Sequence, residues 1–485
     1  MRRLTFAVLC LAVLVCACWA IVAGSAQSSP SEPSAPYFAM GCRVGEVTTS
    51  SAIVWTRLTA EPEARREAVF YYSPWHEPGP KKLPLYISER QLEGGCPGAP
   101  GRVRLIYGTR ADLSGAKTTK WYSVGPEHDF VHQFKLSGLA PDTTYYYVAE
   151  CTAPAGTARR RSALCSFRTA PPREKMAEVR FTVITGQMYP HQDTEGGFKI
   201  YRAMLALAPN FLVATGDTVY YDNRSPKANS VKLARYHWHR MYSLPLIVEF
   251  HRRVPGYWMK DDHDVYCNDC WPTIKPRLAP FTFAQGQRIF REQVPMGEKT
   301  YRTFRWGKGL QIWLPEGRDF RSPNTAPDGP DKTIWGKEQL AWLKRTILAS
   351  DAYFRVLISA TPIVGPDRKT KADNHANKAF AYEGNAFRRW VNENKLDNFF
   401  VVCGDRHWQY YSVDPETGVQ EFSCGPVSDV HAGGSPGEDP RYHRFHRVKG
   451  GFLSVTVFEE GGRPTIAFRF HDVEGNVVYE HKVSR

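Results

Sequence analysis

The chain has 485 residues, 42% of them hydrophobic, and a formal net charge of +14 at pH 7. This length and apolar content exclude a largely disordered protein and allow two or three domains. The positive charge favours anionic partners, either a phosphate-ester small molecule or an anionic polymer, although many basic side chains are simply solvated. No helix-turn-helix, zinc-finger or RNA-binding signature appears, which argues against specific nucleic-acid recognition.

Residues 1–26 are typical of a signal peptide, because a basic start precedes a long apolar run and small residues at a cleavage site. A Ser/Pro-rich linker follows at 27–36. A twin-arginine signal, lipidation at Cys18 and an uncleaved anchor are the alternatives. We expect an extracytoplasmic protein (periplasmic, secreted or cell-surface) that associates with a membrane only through such an N-terminal anchor.

Eight cysteines lie beyond the signal, and an even number in an exported chain permits disulfides. The pairs suggested by the sequence are Cys151 with Cys165, Cys42 with Cys96, and Cys267 with Cys270.

Residues 37–172 predict short strands separated by turns. Gly and Pro interrupt runs of β-branched and aromatic residues, and no long amphipathic helix intervenes. The predicted strands are 52–55, 103–107, 130–134 and 144–148. The last of them resemble the end of a fibronectin type III sandwich, so we expect an all-β domain of that type.

Residues 176–485 predict an α/β (α+β-like) domain, because strands alternate with helices. The strands are 179–184, 210–214, 310–314, 354–358 and 398–402, and the helices are 198–207, 339–348 and 386–394. The tail from 419 to 483 returns to strands joined by turns. We expect a mixed sheet with helices on its faces, completed by antiparallel strands.

Three polar motifs each follow a short apolar run. They are Gly216-Asp217-Thr218-Val219-Tyr220, Asp261-Asp262-His263-Asp264 and Gly404-Asp405-Arg406-His407. In α/β folds, ligands bind beyond the carboxyl ends of strands, so these side chains are expected to meet. Carboxylates and imidazoles bind metal ions, and two ions about 3.5–4 Å apart can hydrolyse a phosphate ester. Asp217 is suited to bridging such a pair.

The same motifs resemble the PhoD-like alkaline phosphatase/phosphodiesterase family of the calcineurin-like metallophosphatase superfamily. They match its G-D-x-x-Y, D-D-H-[DE]-x-x-x-N and G-D-x-H patterns. The resemblance implies a metallophosphatase sandwich of mixed sheets flanked by helices. It also implies two or more metal ions, with iron and calcium favoured over Mn, Zn or Mg because Tyr220 would bind ferric iron. The implied ligands are Asp217, Tyr220, Asp262, Asn268, Asp405 and His407.

The resemblance also implies two catalytic side chains. His263 would contact the phosphate or act as general acid, and its alternative is a capping or orienting role. Arg318 occupies the place of the family's L-D-x-R arginine and would bind phosphoryl oxygens bidentately. An ordinary ion pair of Arg318 with Asp319 or Glu316 is the alternative reading.

The sequence departs from the family at the end of its first α/β strand. The family usually has S-C-Q there, with the Cys on iron, whereas this chain has Thr185-Gly186-Gln187. One metal site therefore lacks a ligand unless Gln187, His191, Asp193 or a water replaces it. Lys371 and His375, in a polar loop after strand 354–358, are candidates for phosphate contact.

The leading hypothesis is therefore an exported metal-dependent phosphoesterase that hydrolyses phosphate mono- or diesters, alkaline phosphatase D-like, through a metal-activated water. A catalytically weak cell-surface binding protein that retains the fold is one alternative, motivated by Gly186. A phosphodiesterase of the phospholipase D or teichoic-acid type is the other.

Overall fold

The computed structural model describes residues 34–71, 87–222 and 226–485. The predicted signal peptide 1–26 and residues 27–33 of the linker lie outside the described residues. Within the described ranges, no helix is long and apolar enough to cross a membrane.

Nine strands of the described chain form one mixed sheet, in the order β22-β21-β20-β10-β11-β12-β1-β2-β6. Its centre is apolar and β-branched, and β10, β11 and β12 run parallel. The strands are β1 (Cys42–Gly45), β2 (Ser51–Arg57), β6 (Val131–Ser137), β10 (Val179–Ile184), β11 (Phe211–Ala214), β12 (Gly256–Trp258), β20 (Phe452–Glu460), β21 (Arg463–His471) and β22 (Val477–Ser484).

A second mixed sheet of seven strands has the order β13-β14-β15-β16-β18-β17-β19. Its strands are β13 (Arg302–Trp306), β14 (Leu310–Leu314), β15 (Phe354–Ser359), β16 (Phe399–Cys403), β17 (Gln409–Val413), β18 (Gln420–Cys424) and β19 (His443–Arg447). The two large sheets pack face to face. Phe422 stacks on Phe468 with ring centroids 3.9 Å apart, and Phe211 lies 4.7 Å from Trp306.

Helices cover the outer faces of the two large sheets. Residues of α1, α2, α3 and α5 share one core with the nine-stranded sheet, and residues of α6 and α7 share another with the seven-stranded sheet. Side chains cap some of these helices: Ser230 accepts from Leu233 at the start of α2, and Thr282 with Gln285 forms a capping box on α5. The helices are α1 (Ile200–Ala206), α2 (Val231–Tyr242), α3 (Pro245–His251), α4 (Asp262–Val265), α5 (Phe283–Gln293), α6 (Lys337–Leu348) and α7 (Ala381–Glu393).

The N-terminal β segment is joined to the rest more closely than the sequence suggests. A third, smaller sheet contains β3 (Gly101–Gly108), β4 (Lys117–Thr118), β5 (Tyr122–Val124), β7 (Thr144–Thr152), β8 (Arg159–Arg161) and β9 (Cys165–Arg168). The layer facing it, β1-β2-β6, continues the nine-stranded sheet through a parallel contact of Gly45 with Gly256. An N-terminal β region is therefore present, while its likeness to fibronectin type III and the boundary at residue 172 remain predictions.

The suggested disulfides are absent from the structure. All eight described cysteines are free and buried. The Cys42 thiol is hydrogen-bonded to Cys165, a partner that the sequence reading did not suggest, and this contact is the main reason that the pKa of Cys42 is lowered.

Candidate metal centre

The three strand ends singled out by the sequence meet at one edge of the sandwich. The Asp405 N–H, after β16, donates to Thr185 Oγ1, after β10, at 3.1 Å. The Gln187 N–H donates at 2.7 Å to the carbonyl of Asp217, after β11. Gly216 lies so close to Asp261 that an added Cβ would stand 2.5 Å from the Asp261 Cβ. These contacts bring the three predicted motifs together.

Asp217 lies at the centre of this edge in a strained conformation. Its φ is 52°, in the left-handed region that non-glycine residues seldom adopt, and 1% of its surface is exposed. Burial raises the pKa of Asp217 to about 7, and the nearby Asp262 carboxylate adds to the shift. Asp217 Oδ1 is buried and has no hydrogen-bond partner among the described residues. An unpartnered buried carboxylate oxygen of this kind fits a cation.

On one side of Asp217 lies a group of side chains that we call the tyrosine–histidine subsite: Tyr220, His407 and His431. Tyr220 Oη lies 3.1 Å from Asp217 Oδ2 and 3.1 Å from His431 Nε2. His431 Nε2 is also 3.1 Å from His407 Nε2, which lies 3.9 Å from Asp217 Oδ2. Burial raises the pKa of Tyr220 well above its usual range, so its phenol is neutral unless a cation is beside it.

His431 was missed by the sequence reading. It ends a short 3₁₀ helix, Asp429–His431, in the loop after β18. None of the three predicted motifs contains it. Its Nδ1 lies 2.9 Å from Nδ1 of His191, which ends another 3₁₀ helix, Tyr189–His191. His191, predicted from the sequence as a possible replacement ligand, contacts His431 in the structure.

On the other side of Asp217 lies the carboxylate–histidine subsite, formed by Asp262 and His263. Ligand atoms of Asp217, Asp262 and His263 lie within 4.8 Å of one another. His263 Nδ1 is 2.6 Å from Asp222 Oδ1, so Nε2 is the ring nitrogen that remains for another partner. Burial alone would lower the pKa of His263, but Asp262, Asp217 and Asp222 outweigh it and raise that pKa well above its usual value. Asp222 was not identified from the sequence.

Asp261 and Asp264, the outer acids of the second motif, have structural roles. Asp264 accepts the N–H groups of Thr218 and Val219, at 2.7 and 3.0 Å, and thereby fixes the loop that carries Asp217. Burial raises the pKa of Asp261 to about 7 despite its ion pair with Arg318.

The structure argues against the predicted direct contact of Arg318 with phosphate. Arg318 is fully buried, and its Nε donates to Asp261 while Nη2 lies 3.3 Å from Asp373 and 3.7 Å from Asp262. Its guanidinium therefore has carboxylate partners already. The alternative of an ion pair is present, but its partners are Asp261 and Asp373 instead of Asp319 or Glu316, which bind Lys260.

A second group of carboxylates, Asp262, Asp269 and Asp373, also lies within 4.8 Å. Two cations pair with this group: Arg318, and Lys371, whose Nζ pairs with Asp269 and lies 3.7 Å from Asp373. Burial opposes ionisation of Asp262, but Arg318, His263 and Lys371 outweigh it and lower its pKa. Lys371 thus lies beside the site with carboxylate partners, and its contact with phosphate stays a prediction.

Four further residues are predicted from the sequence to bind metal or phosphate, and their surroundings in the structure differ. Asp405 lies at the strand junction with a φ of 59° and forms an ion pair with Arg406. Asn268 is exposed and its N–H donates to Asp222, so its role as a ligand stays a prediction. The Gln187 side-chain oxygen accepts from Tyr201, which holds it in the core. His375 is buried with Nε2 2.8 Å from Glu383, a contact that favours a structural role over phosphate contact.

Gly186, the departure from the family pattern, borders the tyrosine–histidine subsite. A Cβ added there would lie 3.4 and 3.5 Å from Cδ2 and Nε2 of His407. A side chain at this position would therefore face the imidazole of His407, and the glycine supplies none.

Comparison with known proteins gives consistent matches. The PhoD-like phosphatase family profile matches residues 181–449, and the profile of the PhoD-like phosphatase N-terminal domain matches residues 24–171. Alkaline phosphatase D of Bacillus subtilis (strain 168) is 22% identical over 481 residues, covering 86% of this chain and 72% of the relative.

Two solved structures share the fold. A structure of PhoD has a TM-score of 0.70 at 16% identity, covering 94% of this chain and 90% of that chain. Purple acid phosphatase PPD1 from yellow lupin (Lupinus luteus) seeds has a TM-score of 0.62 at 12% identity, covering 94% of this chain and 75% of that chain.

These matches confirm the metallophosphatase-type fold and the expectation of an enzyme that hydrolyses phosphoric esters with the help of metal ions. They do not favour the alternative of a catalytically weak cell-surface binding protein that retains the fold. The profile of the catalytic region spans more than half of the sequence, and the chain belongs to the PhoD-like phosphatase family.

Proposed function

We propose that this protein is an exported, metal-dependent phosphoesterase that hydrolyses phosphate mono- or diesters at the edge formed by β10, β11 and β16. The observation that carries the proposal is Asp217, a buried carboxylate with an unpartnered oxygen between two groups of ligand-type side chains. Its position supports the bridging role expected from the sequence.

The residues present fit a pair of metal ions. Asp217, Tyr220 and His407 would hold one ion; Asp217 and Asp262, with Asp405 and Asn268 as predicted further ligands, would hold the other. The mixed oxygen and nitrogen donors are compatible with iron, manganese or zinc, and the oxygen-rich side with calcium or magnesium. When bound, such ions polarise the phosphoryl oxygens and make a water molecule nucleophilic at neutral pH.

His263 is placed to act on the substrate. Asp222 holds its Nδ1 and stabilises the charged imidazolium, so Nε2–H can donate to a phosphoryl oxygen or give a proton to the leaving oxygen. Asp222 is the positioning residue in this pair because it acts through His263.

Several cationic side chains lie near His407. Burial is the main reason that the pKa of His407 is lowered to about 3, and the positive charges of Arg406, His263, Arg368 and Lys371 contribute. Arg406 is fully buried, and its guanidinium pairs with Asp367. The Arg368 side chain, by contrast, is 36% exposed and the Lys371 side chain is 13% exposed. Arg368 and Lys371 can therefore meet a phosphate dianion or diester anion.

A substrate panel tests the proposal. Purified protein is assayed with a chromogenic phosphate monoester, a chromogenic diester, a phospholipid and a teichoic-acid-like polymer, with and without a chelator. We expect metal-dependent hydrolysis of the chromogenic esters, and the ratio among substrates assigns the preference. Hydrolysis that continues unchanged in metal-stripped protein would refute the metal-dependent mechanism.

Export is tested separately, by locating the full-length chain in cell fractions. A mature N-terminus that begins after the small residues at 24–26 would agree with a cleaved signal. Retention of the full-length chain in the cytoplasm would contradict export.

A further inference from the structure

The four ligand-type atoms of the tyrosine–histidine subsite and Asp217 form a series of contacts that ordinary hydrogen bonds do not fully satisfy. Three contacts of 3.1 Å link Asp217 Oδ2, Tyr220 Oη, His431 Nε2 and His407 Nε2 in series. An imidazole nitrogen carries either one proton or one lone pair, both directed in the ring plane. His431 Nε2 can therefore make one good hydrogen bond, yet it lies equally close to Tyr220 Oη and to His407 Nε2.

A shared cation removes this conflict. Nitrogen and oxygen ligands lie about 2.0–2.2 Å from a transition-metal ion, so neighbouring ligands are about 3 Å apart. The 3.1 Å spacings agree with this distance between neighbouring ligands. Lone pairs that face one another without a cation would all point at a shared cation. The unpartnered Asp217 Oδ1, buried at the same place, is a second and independent indication of a cation.

His431 is held so that Nε2 faces the subsite. Its Nδ1 lies 2.9 Å from His191 Nδ1, and one proton must lie between the two nitrogens. If His431 Nδ1 carries that proton, Nε2 is free to bind a metal, and His191 acts as the outer partner that orients a ligating histidine. The 3₁₀ helix bearing His431 is fixed in turn, because Asp429 Oδ1 accepts the Gly450 N–H at 2.8 Å.

We propose that His431 Nε2 is a metal ligand together with Asp217, Tyr220 and His407, and that His191 orients it. His431 thereby replaces the ligand that the end of β10 lacks, where Gly186 contributes no side chain. The inference rests on the metal dependence proposed above.

The direct test is the metal affinity of apo-protein titrated with Mn²⁺ and with Zn²⁺. His431→Gln should weaken the tighter site at least 100-fold, and His191→Gln about 10- to 100-fold with full occupancy restored at high metal concentration. The matched control is His446→Gln, because His446, like His191, is a partly buried histidine but bonds Ser435. Wild-type affinity in a folded His431→Gln variant would overturn the proposal.

Two further measurements distinguish a failure of the His431 assignment from a failure of the proposed metal centre. Anomalous diffraction from metal-loaded wild-type crystals should place an ion about 2.0–2.2 Å from His431 Nε2, and an ion more than about 3 Å away would overturn the proposal without any variant. Asp217→Asn separates the two hypotheses: if it loses the metal while His431→Gln keeps it, only the role of His431 fails. If neither loses metal, the proposed centre fails as well.

Discussion

Asp222 illustrates how one side chain outside the expected motifs can control the site. It holds His263 Nδ1 at 2.6 Å and also accepts the Asn268 N–H at 2.8 Å. Asp222→Asn should lower kcat/KM about 10- to 100-fold, since the imidazolium loses its orienting charge. Metal content should stay at the wild-type value, because Asp222 pairs with His263 rather than with Asp217. Unchanged kcat/KM would show that His263 needs no such partner.

Gly186 offers a second test at the residue scale. Its φ is 62°, and an added Cβ would lie 3.3 Å from Pro426 Cβ and 3.4 Å from His407. Gly186→Ala should lower the free energy of unfolding by about 1–2 kcal/mol for the left-handed backbone, plus the cost of that contact. Gly418→Ala is the matched control, since Gly418 has a φ of 74° and open space around it. Urea unfolding should show the larger loss for Gly186→Ala; an equal or smaller loss would contradict this.

Among individual site residues, the sequence predicts those that belong to a local motif after a strand. Asp217, Asp262, Asp405 and His407 directly follow apolar strands, and the structure gathers their loops at one edge. His431 could not be predicted, because it comes from an irregular loop whose position depends on the contact of Pro426 with Thr185. Arg318 looked available for phosphate because the sequence does not show that Asp373 would pair with it.

The helices and strands were predicted well where apolar periodicity is strong. Strands β10, β14, β15 and β16 and helix α6 appear within two residues of their predicted bounds, whereas α7 begins five residues earlier than predicted. Helix α2 was not predicted, because it mixes buried aromatic and charged residues that blur the helical period. Helix α5 was also not predicted, although it buries Phe283, Ile289 and Phe290 at helical spacing. Charged residues on α2 are buried there through specific partners, such as His239 with Asp129, which no local pattern reveals.

The end of α3 provides a pH-dependent test at the scale of elements. His251 is buried there beside Trp258 and Tyr242, and burial lowers its pKa to about 3. The unfolded chain takes up a proton near pH 6.5 while the folded chain does not, so His251 makes stability fall as pH falls from about 7 toward 3.

His251→Phe should therefore reduce the loss of unfolding free energy between pH 7 and pH 5 by about 2 kcal/mol. The measurement is urea unfolding of both proteins at pH 5, 6 and 7. An identical pH dependence of the two proteins would mean that His251 is protonated equally readily in the folded and unfolded states.

The whole molecule behaves in this structure as a more continuous unit than its sequence suggests. The composition changes near residue 172, which favoured two separate domains, yet β1, β2 and β6 extend the catalytic sheet. A short parallel contact between two glycines makes that junction, and pairing between residues about 210 positions apart leaves no local signal. The core residues of both sheets and the N-terminal segment also form one cluster.

The buried ion network around Asp129 offers a test of whether the N-terminal segment and the catalytic sheet unfold together. Asp129 from the N-terminal segment accepts from Arg57 at 3.0 Å, from His239 of α2 at 2.5 Å and from Gln293 of α5 at 2.7 Å. Asp129→Asn should cost about 3–5 kcal/mol of unfolding free energy, because it leaves buried cationic partners uncompensated. The exposed Asp112→Asn is the control and should change stability by less than about 0.5 kcal/mol.

Circular dichroism and tryptophan fluorescence should report one coincident unfolding transition for the wild type and for Asp129→Asn. A separate early transition of the N-terminal segment would show that it folds independently of the catalytic sheet.

The most direct measurement is the metal content of purified wild-type and Asp217→Asn protein, determined together with hydrolysis of a chromogenic phosphate ester. The wild type should carry close to two metal ions per chain. Asp217→Asn should lose metal, and its activity should fall more than about 100-fold, because even the outer partners of metal ligands contribute about 10- to 100-fold. Full activity in Asp217→Asn, or an active wild type with less than one ion per chain, would contradict a metal centre built on Asp217.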